Sequence, residues 1–131
     1  MHPENYKRLE KLIEKLREFE GLIIVEGRRD EEALRRLGVR TEILRLSRSP
    51  LAEVALVASE YEEVMILTDL DEAGEHLARR LCQLLEGLTK VDLETRRELK
   101  FIARKDIKGI EDLPSLWEGL GLRFWPPPEG I

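Results

Sequence analysis

Two short runs constrain this chain more than any other feature. Leu22-Ile23-Ile24-Val25 is unbroken in apolar residues, and Glu63-Val64-Met65-Ile66-Leu67-Thr68 is nearly so. Each suits a strand buried on both faces of a parallel sheet. Around them, apolar residues recur at helical spacing. Tyr6, Leu9, Leu12, Ile13, Leu16 and Phe19 line one side of a first amphipathic helix. A helix capped by Asp30 is predicted to reach about Leu37, where Gly38 stops it. Glu42 to Leu46 reads as a further strand, Ser47 to Pro50 as a loop, and Leu51, Val54, Ala55 and Ala58 as another inward stripe. The helix after Asp71 carries Leu77, Leu81, Leu84, Leu85 and Leu88 on one face.

Further along, Asp92 to Arg97 reads as a short helix or a polar connection, and Leu99 to Ala103 as a fourth strand. Asp112 is the expected cap of a last short helix through Trp117, and the tail from Trp125 is expected to run extended through its prolines. Strands alternating with helices at these lengths imply right-handed crossovers. The predicted class is therefore α/β, with about four mainly parallel strands and helices on both faces. At 131 residues there is room for one domain. It is divided here into an N-terminal helix (1–19), a central α/β body (20–113) and a C-terminal helix with an extended tail (114–131).

Open sheets of this kind bind ligands at the carboxyl ends of their strands, and three acids stand at two such ends. Glu26 follows the first strand, while Asp69 and Asp71 follow the third. Residues two apart in an extended segment point to the same side, so the two aspartates can share one ligand. Three converging carboxylates repel one another unless protons or a cation intervene. Mg²⁺ suits such oxygen donors, and it commonly takes one or two carboxylates plus waters and substrate phosphates. One ion or a pair is expected, with Mn²⁺ as a substitute. Gly27 can take dihedrals closed to other residues, and Gly74 leaves a bare helix N-terminus, so both are candidates for phosphate approach. The alternative stays open that Asp71 is only a helix cap, Asp69 a turn residue and Glu26 a solvated strand end.

The segments Ile24-Val25-Glu26-Gly27 with Asp30, and Ile66-Leu67-Thr68-Asp69-Leu70-Asp71-Glu72-Ala73-Gly74, resemble the two signature motifs of toprim domains. Such domains occur in topoisomerases, primases, recombination proteins, nucleases and a ribosomal-RNA maturase. Lys108-Gly109-Ile110-Glu111-Asp112 brings the likeness nearest to the small maturase-like members. It spans about residues 20 to 113 and implies a Rossmann-like toprim fold. It also implies that Glu26 acts as general acid or base and helps hold a metal, that Asp69 and Asp71 bind Mg²⁺, and that Glu72 is a candidate for the outer coordination shell. A nuclease-type reaction on RNA or DNA follows as the expected activity. Strand passage is not expected, because Tyr6 and Tyr61 read as packing residues and no tyrosine-bearing partner domain is in view.

Composition narrows the partners. The net charge of −5 gives no global field for a polyanion, so nucleic acid must be met by local arginines and a bridging cation. Arg28, Arg29 and Arg48 follow strands at the acidic end and are candidates for phosphate contact, with pairing to Asp30, Glu31 and Glu32 as the alternative. Arg104, Lys105 and Lys108 follow the expected fourth strand, and Lys105 is retained as a phosphate-binding candidate. Arg79-Arg80 and Arg96-Arg97 read as solvated faces, and His76 as a surface residue. Trp117 and Trp125 read as closing a core, with stacking on bases as the alternative. Cys82, the only cysteine, is expected to be buried and excludes an internal disulfide. No signal peptide or membrane-spanning run is read, so a soluble, cytoplasmic protein is expected. Arginine outnumbers lysine 15 to 7, a profile compatible with heat adaptation.

Two other functions compete with the enzyme. One is a non-catalytic module of the same fold, binding metal and nucleic acid or docking on a protein partner within a larger complex. The other is a receiver-like signalling domain, disfavoured because the first strand ends in Glu-Gly rather than paired acids and the strand that would carry a lysine is missing.

Overall fold

The structure, a computed structural model, describes residues 1–120 apart from the side chain of Arg48. The proline-rich tail and Trp125 lie outside the described residues. Among the described residues, six helices and four strands follow one another. They are α1 (Tyr6–Glu18), β1 (Leu22–Val25), α2 (Arg28–Arg36), β2 (Ile43–Arg45) and α3 (Leu51–Ala58), then β3 (Glu63–Leu67), α4 (Glu72–Leu85), β4 (Lys90–Asp92), α5 (Glu94–Ala103) and α6 (Leu113–Gly119). Short 3-10 turns occupy Pro3–Asn5, Leu46–Arg48 and Ile110–Asp112.

All four strands are parallel, in the order β2-β1-β3-β4. The two unbroken apolar runs are the central strands, paired from Leu22 opposite Val64 to Val25 opposite Leu67. Their side chains alternate between two cores, as the two-residue period of a strand requires. Ile23, Val25, Met65 and Leu67 pack with residues of α1, α2, α5 and α6, while Leu22, Ile24, Val64 and Ile66 pack with α3 and α4. Because both central strands are parallel, Glu26 and Asp69 emerge at the same edge of the sheet.

The fourth strand is not where the sequence placed it. Leu99–Ala103 belongs to α5, and the edge strand is Lys90–Asp92, paired through Val91 opposite Val64. The buried residues Thr95, Arg96, Leu99, Ile102 and Ala103 recur at helical intervals, and Phe101 faces out. Five residues with four apolar members fit either period, whereas ten decide for the helix. The true strand escaped because an edge strand of three residues, two of them charged, carries no apolar run.

Smaller departures have local causes. The α2 helix begins at Arg28 with Gly27 at its N-cap, and Asp30 sits in the first turn, where it accepts the Gly27 N–H at 3.1 Å. Asp112 makes no side-chain cap on α6; its carboxylate accepts the Lys108 N–H at 3.0 Å. On α4 the buried face is Ala78, Leu81 and Leu85, while Leu84 and Leu88 are exposed. Cys82 is half-buried rather than buried. Trp117 closes the larger core. No helix among the described residues is long and apolar enough to cross a membrane.

Candidate functional site

Glu26 and Asp69 meet. The Glu26 carboxylate (Oε2) accepts the backbone N–H of Asp69 at 2.8 Å, so the side chain leaving β1 fixes the loop that leaves β3. The Ser47 N–H, just past β2, donates to the Glu26 carbonyl at 3.1 Å and brings a third strand end to the same edge. Asp71 is the N-cap of α4, its Oδ1 accepting the Gly74 N–H at 2.7 Å. That cap bond occupies one oxygen of an otherwise exposed carboxylate and matches the favourable charge of a helix N-terminus.

The glycines differ in role. A Cβ on Gly74 would stand 1.9 Å from the Asp69 carbonyl oxygen, so the first turn of α4 presses against the backbone of the aspartate loop. Thr68 ties the same turn down, its Oγ1 donating to the Gly74 carbonyl at 2.7 Å. Gly74 is thus required by packing within the loop, and its bare edge is covered rather than open to an anion. Gly109 approaches from the other side, where a Cβ would come 2.4 Å from Asp69 Oδ1. At Gly27 an added Cβ would meet nothing within 4 Å, and its extended backbone needs no special freedom. The dihedral reason for that glycine therefore lapses, and open space beside Glu26 remains.

Asp69 is held between these contacts with its carboxyl pushed up to about 7. Burial is the largest cause, followed by the negative charges of Glu26, Asp30, Asp71 and Glu111. Burial also raises Asp30, against the opposing hydrogen bond from Gly27, and Glu111 adds to the rise. Both shifts express one condition: negative charge is crowded at this edge beyond what its surroundings solvate. Hard, anionic oxygen donors short of positive charge fit a divalent cation such as Mg²⁺. The fit is to a hydrated ion using one or two carboxylates. Among the described residues no three acids, histidines or cysteines form a ready-made ligand group.

A buried arginine underlies the loop. Arg96, expected on a solvated face, is 2 % exposed. Its Nε donates to the Thr68 carbonyl at 3.2 Å, one Nη to the Asp69 carbonyl, and the other pairs with Glu75. The guanidinium fork thereby holds two consecutive carbonyls of the aspartate loop. Lys100 also reaches Glu75, at 3.5 Å. The sequence pattern assigned no role here to Arg96, Glu75 or Lys100, and it held Glu111 only as part of the resemblance. Arg96 was legible once 95, 96, 99, 102 and 103 are taken as one helical stripe; Glu111 follows Gly109 by two residues in a segment whose approach to Asp69 only the tertiary structure reveals.

The remaining candidates scatter around the edge. Arg28 is exposed and 4.0 Å from Glu32, the weak surface pairing weighed as its alternative. Arg29 is exposed; Arg45, rather than either, makes the close pair with Glu31, at 2.6 Å. Arg48 ends the 3-10 turn after β2, and its side chain lies outside the described residues. Glu72 is exposed in the first turn of α4. Lys105 is exposed in the turn after α5, so it follows a helix and not a strand.

The comparison with known families decides what this arrangement belongs to: the Toprim domain matches residues 21–103. The chain belongs to the Toprim family. The Toprim match opens at β1 and closes with α5, enclosing Glu26, Asp69, Asp71 and Arg96 and leaving Gly109 and Glu111 beyond its end. Toprim domains typically bind divalent metal ions such as Mg²⁺. The chain is similar to a UPF0292 protein of Pyrococcus furiosus, 74% identical over 99% of both chains. It is also similar to one of Methanosarcina barkeri, 35% identical over 86% of this chain and 82% of the other. Among solved structures, a protein from Aquifex aeolicus is similar with a TM-score of 0.64 and 30% identity, over 84% of this chain and 99% of that one. Relatives from Pyrococcus and Thermococcus fit the arginine-rich composition.

Proposed function

We propose that this Toprim chain is a Mg²⁺-dependent enzyme that cleaves or processes phosphodiester bonds in RNA or DNA. The observation that carries the reading is the meeting of Glu26 with the Asp69 loop at the carboxyl edge of a parallel sheet, where burial and neighbouring acids push the Asp69 carboxyl up to about 7. A carboxyl in that condition gains most from a bound cation, and the gain is largest when a phosphate closes the ion's remaining positions. Asp69 and Asp71 are the proposed metal-binding pair, with Glu26 assisting and exchanging a proton with the nucleophile or leaving group. Asp69 and Asp71, with Glu26, would hold one Mg²⁺ ion or two, which when bound would supply positive charge against the scissile phosphate and a site for the attacking oxygen. The protein's own part is positional. Glu26 holds the loop through the Asp69 N–H, Arg96 holds it from beneath, and Gly27 leaves the approach to Glu26 open. Water is the proposed nucleophile, since Tyr61 is bonded to Glu42 and Tyr6 lies half-buried on α1.

The test is cleavage of labelled structured RNA, single strands and duplex DNA by the pure protein in Mg²⁺ or Mn²⁺. Glu26→Gln and Asp69→Asn are each expected to lower turnover at least ~100-fold. Equal cleavage by both variants assigns the activity to another site and ends the proposal. A second reading is a non-catalytic module that binds metal and nucleic acid within a larger complex. It is favoured by the Asp71 cap bond and by the lack of a ready-made ligand group among the described residues. Tight binding without turnover across that substrate panel selects it.

A further inference from the structure

The turn after α5 joins the acidic edge to a surface that presents Arg104, Lys105 and Lys108 together with one exposed aromatic ring. Phe101 is 70% exposed on the outer side of α5, the most exposed aromatic side chain among the described residues. The guanidinium of Arg8 lies over its ring at 5.0 Å, a cation–π contact that orients the ring without enclosing it. Beside Phe101 opens a cavity of about 450 Å³ that Arg104, Lys105 and Asp106 also line. The same three residues form one wall of a second cavity of about 710 Å³, which runs on to Lys108 and Asp112. From there the chain reaches the acids directly. The Lys108 carbonyl accepts the Leu70 N–H at 2.8 Å, and Gly109 lies against the Asp69 carboxylate.

Charge along this path differs from that of the whole molecule. Among the described residues, Arg104, Lys105 and Lys108 make no side-chain ion pair, and all three are exposed. Of the acids nearby, Asp106 pairs with the N-terminal amine at 3.3 Å and Glu98 with Arg8 at 3.4 Å, Asp112 accepts the backbone N–H of Lys108, and Glu111 is exposed toward the acidic edge. In a chain of net charge −5, three exposed cations that follow an exposed aromatic ring, one face of it under Arg8, match a flexible polyanion that carries flat bases. We propose that Phe101, Arg104, Lys105 and Lys108 form a track that binds a single-stranded segment of nucleic acid leading to the acidic edge. One base stacks on Phe101, and successive phosphates meet the three cations. The track rests on the reading above for its connection to chemistry, but its own content is binding.

The test is fluorescence anisotropy of short labelled single strands, RNA and DNA, with the full chain in EDTA. Phe101→Ala is expected to weaken binding ~10-fold, since stacking on one aromatic ring contributes strongly. The double variant Arg104→Ala/Lys105→Ala is expected to flatten the dependence of log K on log salt by ~0.7 for each phosphate left without a cation. Both changes lie on the exposed surface, and unchanged melting checks that the fold is kept. Wild-type affinity in both variants, or no strand bound by the native chain, overturns the track. So does a loss of protein self-association in Phe101→Ala with strand binding intact, which makes the surface a protein interface. Asp69→Asn separates the two readings. If the track variants bind weakly while no cleavage depends on Asp69, the track stands and the enzyme falls. If cleavage depends on Asp69 and the track variants bind normally, the reverse holds.

Discussion

At the scale of single residues, Asp69 sets the pH behaviour. Its folded-state value is raised to about 7 by burial and neighbouring acids, against 3.8 for the ordinary carboxyl. Between about pH 4 and 7 the native chain therefore holds a proton that the unfolded chain has released, so stability falls as pH rises across that window. Above about 7 the loss is complete. Asp69→Asn removes the titration, so in EDTA the variant is expected to gain on the wild type in melting temperature from pH 5 to pH 8. A constant difference across that range means that Asp69 carries no unusual proton. Glu75 is shifted the opposite way by Arg96, and its contribution is lost only as pH falls below the ordinary glutamate range. It therefore does not blur the window, and Asp30, which burial also raises, is common to the wild type and the variant. Arg96 itself holds two carbonyls of the aspartate loop and one carboxylate. Arg96→Met keeps most of the volume but strands these partners, and is expected to cost about 3 kcal/mol in denaturant unfolding. Its effect on cleavage is expected to exceed that of Arg97→Met, whose guanidinium pairs only with the exposed Glu94.

At the scale of elements, legibility followed burial. The central strands were readable because burial on both faces leaves no polar position inside them. The acids at their ends were readable because a parallel sheet sends both strand ends to one edge. The edge strand β4 and the α5 helix were exchanged, because the edge has little apolar content and the α5 stripe contains a buried arginine that resembles a solvated one in sequence. The Asp69 loop was only half legible. Its two aspartates stood out, but the reason for Gly74 was contact with the Asp69 backbone, which no local pattern encodes. Gly74→Ala tests that contact. A methyl group 1.9 Å from a carbonyl oxygen must push α4 away from the loop, with an expected loss of about 3 kcal/mol. That exceeds anything that helix propensity returns to alanine. Gly27→Ala, with open space at its Cβ, is expected to change stability by under ~0.5 kcal/mol. Equal thermal stability of the two variants removes the packing account of Gly74.

At the scale of the whole molecule, an acidic chain that concentrates acids at one edge and leaves cations unpaired beside it has a divided surface. The acidic edge accommodates a polyanion only after positive charge is supplied, so metal and nucleic acid are expected to bind cooperatively, each lowering the other's cost. Melting in EDTA, in Mg²⁺, in a short single strand, and in both together measures this. A ligand that binds only the native chain stabilises it by RT ln(1 + [L]/Kd), about 2.7 kcal/mol at a hundredfold excess over Kd, or roughly 10 °C for a chain of this size. At pH 8 the combination is expected to exceed the sum of the separate shifts. At pH 5 the excess is expected to shrink, because protonation of Asp69 already relieves part of the crowding that the cation would relieve. Additive shifts at both pH values would mean that the cation and the strand bind without sensing each other, and the acidic edge would then have no part in holding a phosphate.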